Sequence, residues 1–242
     1  MERELIGWIL PEDIEGYRLV RERILRYMVI GEGRRGGGEF LLGAPGTIPD
    51  IDSPLPGVIA YGAVETDFGT ISITLREEKG GQSSLEIVNS RSEEIPAQFE
   101  ESRRWTYSGW KQGSVCPQCT KPPREVSMQD RAGRIHLLAI CTRDRRIWVL
   151  DGASGIVYPV PVTNFYNELM LRAGIRDPET ALDSKRFFAE CDRYDDRQLS
   201  LAFEAYNRFR TKIEVAGPLT VSGRANGSMM QSLRRLFTEG RE

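Results

Sequence analysis

Residues 116–151 run CPQCTKPPREVSMQDRAGRIHLLAICTRDRRIWVLD. Two short clusters of metal-ligand residue types stand out, C-P-Q-C at 116–119 and C-T-R-D at 141–144, with 21 residues between Cys119 and Cys141. The segments RIHLLAIC and RRIWVLD are strand-like, and the DGASG turn leads on into IVYPVPV. Residues 134–162 therefore read as an antiparallel meander. In a regular strand successive side chains point to opposite faces, so Cys141 shares a face with Ile135, Leu137 and Ala139, while His136 sits with Leu138 and Ile140. Of the two candidates for a fourth donor beside Cys116, Cys119 and Cys141, this geometry prefers Asp144; a bulge in the strand would bring His136 within reach instead.

This pattern resembles a zinc ribbon, a module in which two C-x-x-C knuckles at hairpin tips supply four ligands, and the likeness spans about residues 116–149. The resemblance implies a structural zinc held by Cys116, Cys119, Cys141 and Asp144. The departure is the fourth ligand, where a carboxylate replaces the family's cysteine; carboxylate oxygen is a harder donor than thiolate and loosens a site. A closed four-ligand site has no open coordination position, so the implied role is to fix a hairpin pair and not to activate water. A thioredoxin-like reading of C-P-Q-C requires a helix after it, and Pro122 with Pro123 would break that helix at once.

Working toward the N-terminus, residues 12–29 carry Ile14, Tyr17, Val20, Ile24 and Met28 at helical spacing, an amphipathic helix. The glycine-rich stretch 31–40 reads as a loop, and 41–57, with Pro45, Pro49, Pro54 and Pro56, as an irregular connector. GVIAYGAVET, GTISITLREE and SSLEIVNS then alternate as strands, the last two forming a hairpin around Gly80–Gln82. An acidic stretch at 92–101 is compatible with helix. Trp105, Tyr107 and Trp110 follow as a strand or an ordered aromatic approach to the cysteines. Toward the C-terminus, Thr163 is a candidate cap for a helix ending near Gly174. Leu199, Ala202, Phe203, Tyr206 and Phe209 form the stripe of a further helix capped by Asp195, and Cys191 is expected as a buried thiol. Beyond a polar linker at 217–227, Met229, Met230, Leu233, Leu236 and Phe237 share one helical face, an amphipathic tail suited to docking on its own protein or in a partner's groove.

The expected class is α+β: an N-terminal helix with antiparallel sheet (1–102), a basic ribbon-like meander (103–162), a helical part (163–213), then linker and tail helix (214–242). The net charge of −2 conceals an asymmetry: residues 1–102 carry 10 Lys/Arg against 19 Asp/Glu, whereas 103–147 carry 10 against 3. Such a basic segment can meet nucleic acid, with Arg103, Arg104, Lys111, Lys121, Arg124, Arg143, Arg145 and Arg146 on phosphates and Trp105, Tyr107 or Trp110 on bases, or it can dock on its own acidic neighbour. A single histidine excludes the zinc hydrolase sites built on several histidines, and no nucleophile elbow, Walker A or dinucleotide fingerprint is present. Carboxylate catalysis would fall to Asp195 with Asp196, or Glu65 with Asp67, which read more simply as caps and solvated faces. No apolar run reaches the length of a membrane span, and the acidic opening MERELIGWILPEDIEG does not fit a signal peptide, so the cytoplasm is the expected compartment. The leading functional expectation is a non-enzymatic interaction or assembly protein that engages a protein partner through its tail; nucleic-acid binding and carboxylate enzymology are the alternatives.

Overall fold

The structure, a computed structural model, describes residues 2–34, 38–51, 57–77, 81–91, 95, 99–130, 133–172 and 183–210. The chain is mixed α+β and divides into two compact units that meet in sequence between Gly109 and Trp110.

The first unit carries helices α1 (Glu2–Ile9) and α2 (Glu15–Ile24) and an antiparallel sheet of β1 (Met28–Glu32), β2 (Glu39–Gly43), β3 (Gly57–Thr66), β4 (Gly69–Glu77), β5 (Gln82–Asn89) and β6 (Glu101–Thr106). Their order across the sheet is β1-β2-β5-β4-β3-β6. Alternation in β4 buries Ile71, Ile73 and Leu75, the triplet the sequence singles out. Tyr17, Val20 and Ile24 of α2 are buried as the helical spacing requires, but that helix stops at Ile24 and Met28 already begins a strand. The expected loop and connector across 31–57 are likewise corrected, because the run EFLLG forms β2, buried along its whole length between β1 and β5. A strand covered on both faces loses the alternation that would reveal it. Its one acid, Glu39, is buried and accepts a hydrogen bond from Ser84 Oγ at 2.7 Å. At Gly62 in β3 the side chains of α1 come close: a Cβ there would lie 2.7 Å from side-chain atoms of Trp8 and Ile9. At the acidic stretch 92–101, Glu101 opens β6 and is not helical.

The second unit holds a four-stranded antiparallel sheet in the order β10-β9-β8-β7, made of β7 (Arg124–Gln129), β8 (Ile135–Cys141), β9 (Arg146–Asp151) and β10 (Val157–Pro159). The predicted meander supplies the last three strands, and β7 is an addition. Helices α3 (Val162–Arg172), α4 (Ser184–Glu190) and α5 (Asp196–Arg210) follow, with a 3-10 turn at Cys191–Arg193. Helix α3 begins one residue before Thr163, so Thr163 is not its cap; Asp195 does cap α5, accepting from Gln198 N at 2.7 Å. The helices close over one face of the sheet. There Val126, Met128, Leu138, Ile140, Ile147 and Val149 meet Phe165, Leu169, Phe187, Leu199 and Phe203 in a single apolar cluster that includes Cys191. The other face keeps Ala139, Cys141 and Trp148 buried, with Trp110 set edge-on to Trp148 at 5.4 Å. No helix among the described residues is long and apolar enough to cross a membrane.

Candidate metal centre

At one end of the second sheet two tight turns face each other. In the first, the N–H of Cys116 bonds the carbonyl of Lys121 and the N–H of Thr120 bonds that of Cys116. In the second, Cys141 pairs with Arg146 as the last rung of β8 and β9. Each turn therefore joins its leading cysteine to the residue five places on. Each also places the residue after its last donor in the left-handed region, Thr120 at φ 60° and Arg145 at φ 52°, so the two turns are built alike.

These turns bring Cys116, Cys119, Cys141 and Asp144 together, their donor atoms all within 4.8 Å of one another. Cys119 Sγ lies 3.5 Å from Cys141 Sγ, Cys141 Sγ lies 3.7 Å from Asp144 Oδ2, and the Cys116 thiol donates to Asp144 Oδ2 at 2.8 Å. For a tetrahedral ion with metal–sulfur bonds of about 2.3 Å, neighbouring sulfurs stand roughly 3.8 Å apart, so two of these separations already suit such an ion and the third needs to open by less than about 1 Å. The four side chains can thus hold a metal ion. Cys116 and Cys141 are buried, whereas Cys119 and Asp144 are partly exposed. Burial, helped by the contact with Asp144, holds the Cys116 thiol well above its ordinary pKa, while the backbone N–H groups of Cys119 and Gln118 pull the other way. Cys141 is also raised, chiefly by burial, with the Asp144 N–H opposing. Amides aimed at both sulfurs are partners for thiolate, the form a metal requires.

His136 is not part of this group. As strand alternation predicts, it points to the helical face of the sheet, where its two ring nitrogens each lie 3.3 Å from a carboxylate, Nε2 from Asp130 and Nδ1 from Asp151, and its ring neighbours Phe203. A cleft of about 190 Å³ opens beside it, lined in part by Arg134, Tyr158 and Tyr206.

The basic and aromatic residues of the sequence reading separate into several kinds. Arg103, Arg104 and Trp105 belong to β6 of the first unit. Arg104 is engaged by Glu101 at 2.6 Å and Glu4 at 3.3 Å and lies over the Trp8 ring. Of the aromatic residues, Trp105 and Tyr107 are buried against each other and Tyr61, and Trp110 is buried on Trp148. Arg124 is structural, donating to the carbonyls of Cys191 and Tyr194 at 2.8 and 2.9 Å and to Asp196 at 2.7 Å. Lys111, Lys121, Arg143, Arg145 and Arg146 are exposed. Among the described residues, no acid pairs with Lys111, Lys121, Arg143 or Arg145. Asp195 and Asp196 are occupied as cap and ion-pair partner, and Glu65 lies in β3 opposite Arg103. Met229, Met230, Leu233, Leu236 and Phe237 lie outside the described residues.

No protein-family profile, curated protein or solved structure matches the chain. The donor cluster is therefore read from its own chemistry. The signal missed in the sequence was the residue following each cluster: nothing about a threonine or an arginine announces the left-handed backbone that makes the two turns alike.

Proposed function

We propose that the second unit is a non-catalytic binding module whose tip is fixed by a structural zinc ion on Cys116, Cys119, Cys141 and Asp144. The single observation carrying this reading is the convergence of four donor atoms from two matching turns within 4.8 Å. Three soft sulfurs with one carboxylate suit zinc among the common divalent ions, and four protein donors leave no position for a substrate. The protein's work would then be recognition: the tail face of Met229, Met230, Leu233, Leu236 and Phe237 is the sequence feature suited to a partner's groove, and the ion keeps the turns in register. Elemental analysis of the reduced, purified chain should find zinc near one equivalent, lost in Cys116→Ser. Absence of metal from the reduced chain after incubation with zinc would end the reading. Removing residues 217–242 should abolish capture of a cytoplasmic partner while leaving the zinc content unchanged.

The exposed Lys121, Arg143 and Arg145, without acidic partners among the described residues, favour a second reading in which the tip meets nucleic-acid phosphates. Three or four such contacts predict a modest salt slope, about −0.9 per phosphate neutralised on duplex DNA. With the aromatic residues buried, that binding would be indifferent to sequence. Titration of a labelled duplex at low salt tests it, and no binding there removes it.

A further inference from the structure

The three sulfurs of the cluster are not equivalent, and their differences assign a chemistry to two of them. Cys116 is fully buried and its thiol is engaged by Asp144 at 2.8 Å. Cys141 is 3% exposed, whereas Cys119 is the partly exposed member of the set. The sulfur at 3.5 Å from Cys119 is that of Cys141, across the gap between the two turns. We infer that Cys119 and Cys141 are a reversible disulfide-forming pair, entered at Cys119, whose closure dismantles the metal centre.

The oxidant is a low-molecular-weight disulfide of the glutathione type. The Cys119 sulfur attacks one sulfur of that disulfide, forming a mixed disulfide and releasing one small thiolate. Cys141 then attacks the Cys119 sulfur, the bond to the small thiol breaks, and a second thiolate leaves. Two electrons pass from the protein sulfurs to the oxidant, so one external disulfide becomes two thiols and one protein disulfide forms. The metal keeps its charge throughout. Closure shortens the sulfur–sulfur separation from 3.5 Å to about 2.05 Å. Two of four donors are consumed, leaving one sulfur and one carboxylate, Cys116 and Asp144, which cannot hold zinc against a competing chelator. The released Cys116 takes a proton and donates it to Asp144 in the contact already described. Exposure favours Cys119 as the entry, and the Asp144 contact withholds Cys116 from competing for it.

The release of metal rests on the zinc reading above, while the pairing of the two cysteines does not. Zinc-loaded and metal-free full-length protein are treated in parallel with oxidised glutathione. Free thiols are counted, metal is followed with a chromogenic chelator, and disulfides are located by peptide mass mapping. The expected result in both samples, counted after denaturation with a chelator, is a fall from four reduced cysteines to two, with the link mapped to Cys119–Cys141; the loaded sample also releases one equivalent of zinc, and reduction restores binding. In Cys141→Ser the reaction should stop at a glutathione adduct on Cys119. A link mapped to Cys116–Cys119, an adduct on Cys116, or four thiols surviving treatment of the wild-type chain would overturn the pairing. A reduced chain that binds no zinc would overturn the release and the zinc reading together, with the pairing still decided by the peptide map.

Discussion

The two turns that carry the donor cluster of the second unit share a backbone and differ in chemistry. Both close from the first donor to the residue five places on, and both carry a left-handed residue immediately after their last donor. One ends in Cys119 and the other in Asp144. The difference shows that position is set by the turn and affinity by the side chain: the same loop delivers either a soft sulfur or a hard oxygen to the same place. With zinc bound as proposed, it would also divide the centre into a strongly held half and an exchangeable half, since loss of a thiolate removes a better zinc ligand than loss of a carboxylate.

The largest effect that can break this comparison is on metal affinity. Cys119→Ser should weaken zinc binding by about 100-fold or more, Asp144→Ala by only about 10-fold, and Asp144→Cys should strengthen it by about 10-fold. Chelator competition measures all three, with His136→Ala as the control that should leave affinity unchanged. Equal losses in the serine and alanine variants would show that the two turns contribute alike.

A second comparison sets the cluster against Cys191, the cysteine on the far face of the sheet. Burial, followed by the neighbouring Asp192, pushes its thiol from an ordinary 9.0 up to about 11. A raised folded-state pKa gives stability that is complete below pH ~9 and lost as the pH rises toward ~11, at most about 2 to 3 kcal/mol. Thermal unfolding across that window should fall less steeply in Cys191→Ala than in the wild-type chain. Tyr194, raised mainly by burial to about 12, keeps a residual slope at the upper end. Identical slopes would show that Cys191 does not govern this loss.

The smallest effect concerns the shared backbone. Thr120 and Arg145 occupy a region that costs a side-chain-bearing residue about 1 kcal/mol and glycine little. Thr120→Gly and Arg145→Gly should each stabilise the second unit by roughly that amount, less what glycine adds to the entropy of the unfolded chain. Threonine, branched at Cβ, should show the larger gain in denaturant titrations. A loss at either position would mean that its side chain has a use outweighing the strain.

Much of this was legible before any coordinates, and unevenly so. Strand β4 wrote its period into the sequence, with Ile71, Ile73 and Leu75 announcing its buried face, whereas in β8, buried on both faces, only the alternating direction of side chains along a strand put Leu138 and Ile140 on one side. That alternation also set His136 apart from Cys141 and favoured Asp144 as the fourth donor. Strand β2 went unread because EFLLG is buried on both sides and sits beside glycines and prolines that suggest a connector. Composition alone also failed for the basic segment, since charge counting cannot tell an arginine spent on carbonyl groups, such as Arg124, from one such as Arg143 that has no acidic partner among the described residues. Nor did the alternating Trp105 and Tyr107 and the nearby Trp110 reveal that all three are covered, because packing depends on elements distant in sequence.

Strand β8 serves opposite sides of one ribbon differently, with Leu138 and Ile140 in an oily layer under helices and Cys141 in a donor cluster that can hold a metal ion. If an ion is held there as proposed, stripping it would undo that end while the oil stays in place, and the unit would lose the geometry of its tip and keep its body. A small protein folded wholly around its metal has no such reserve.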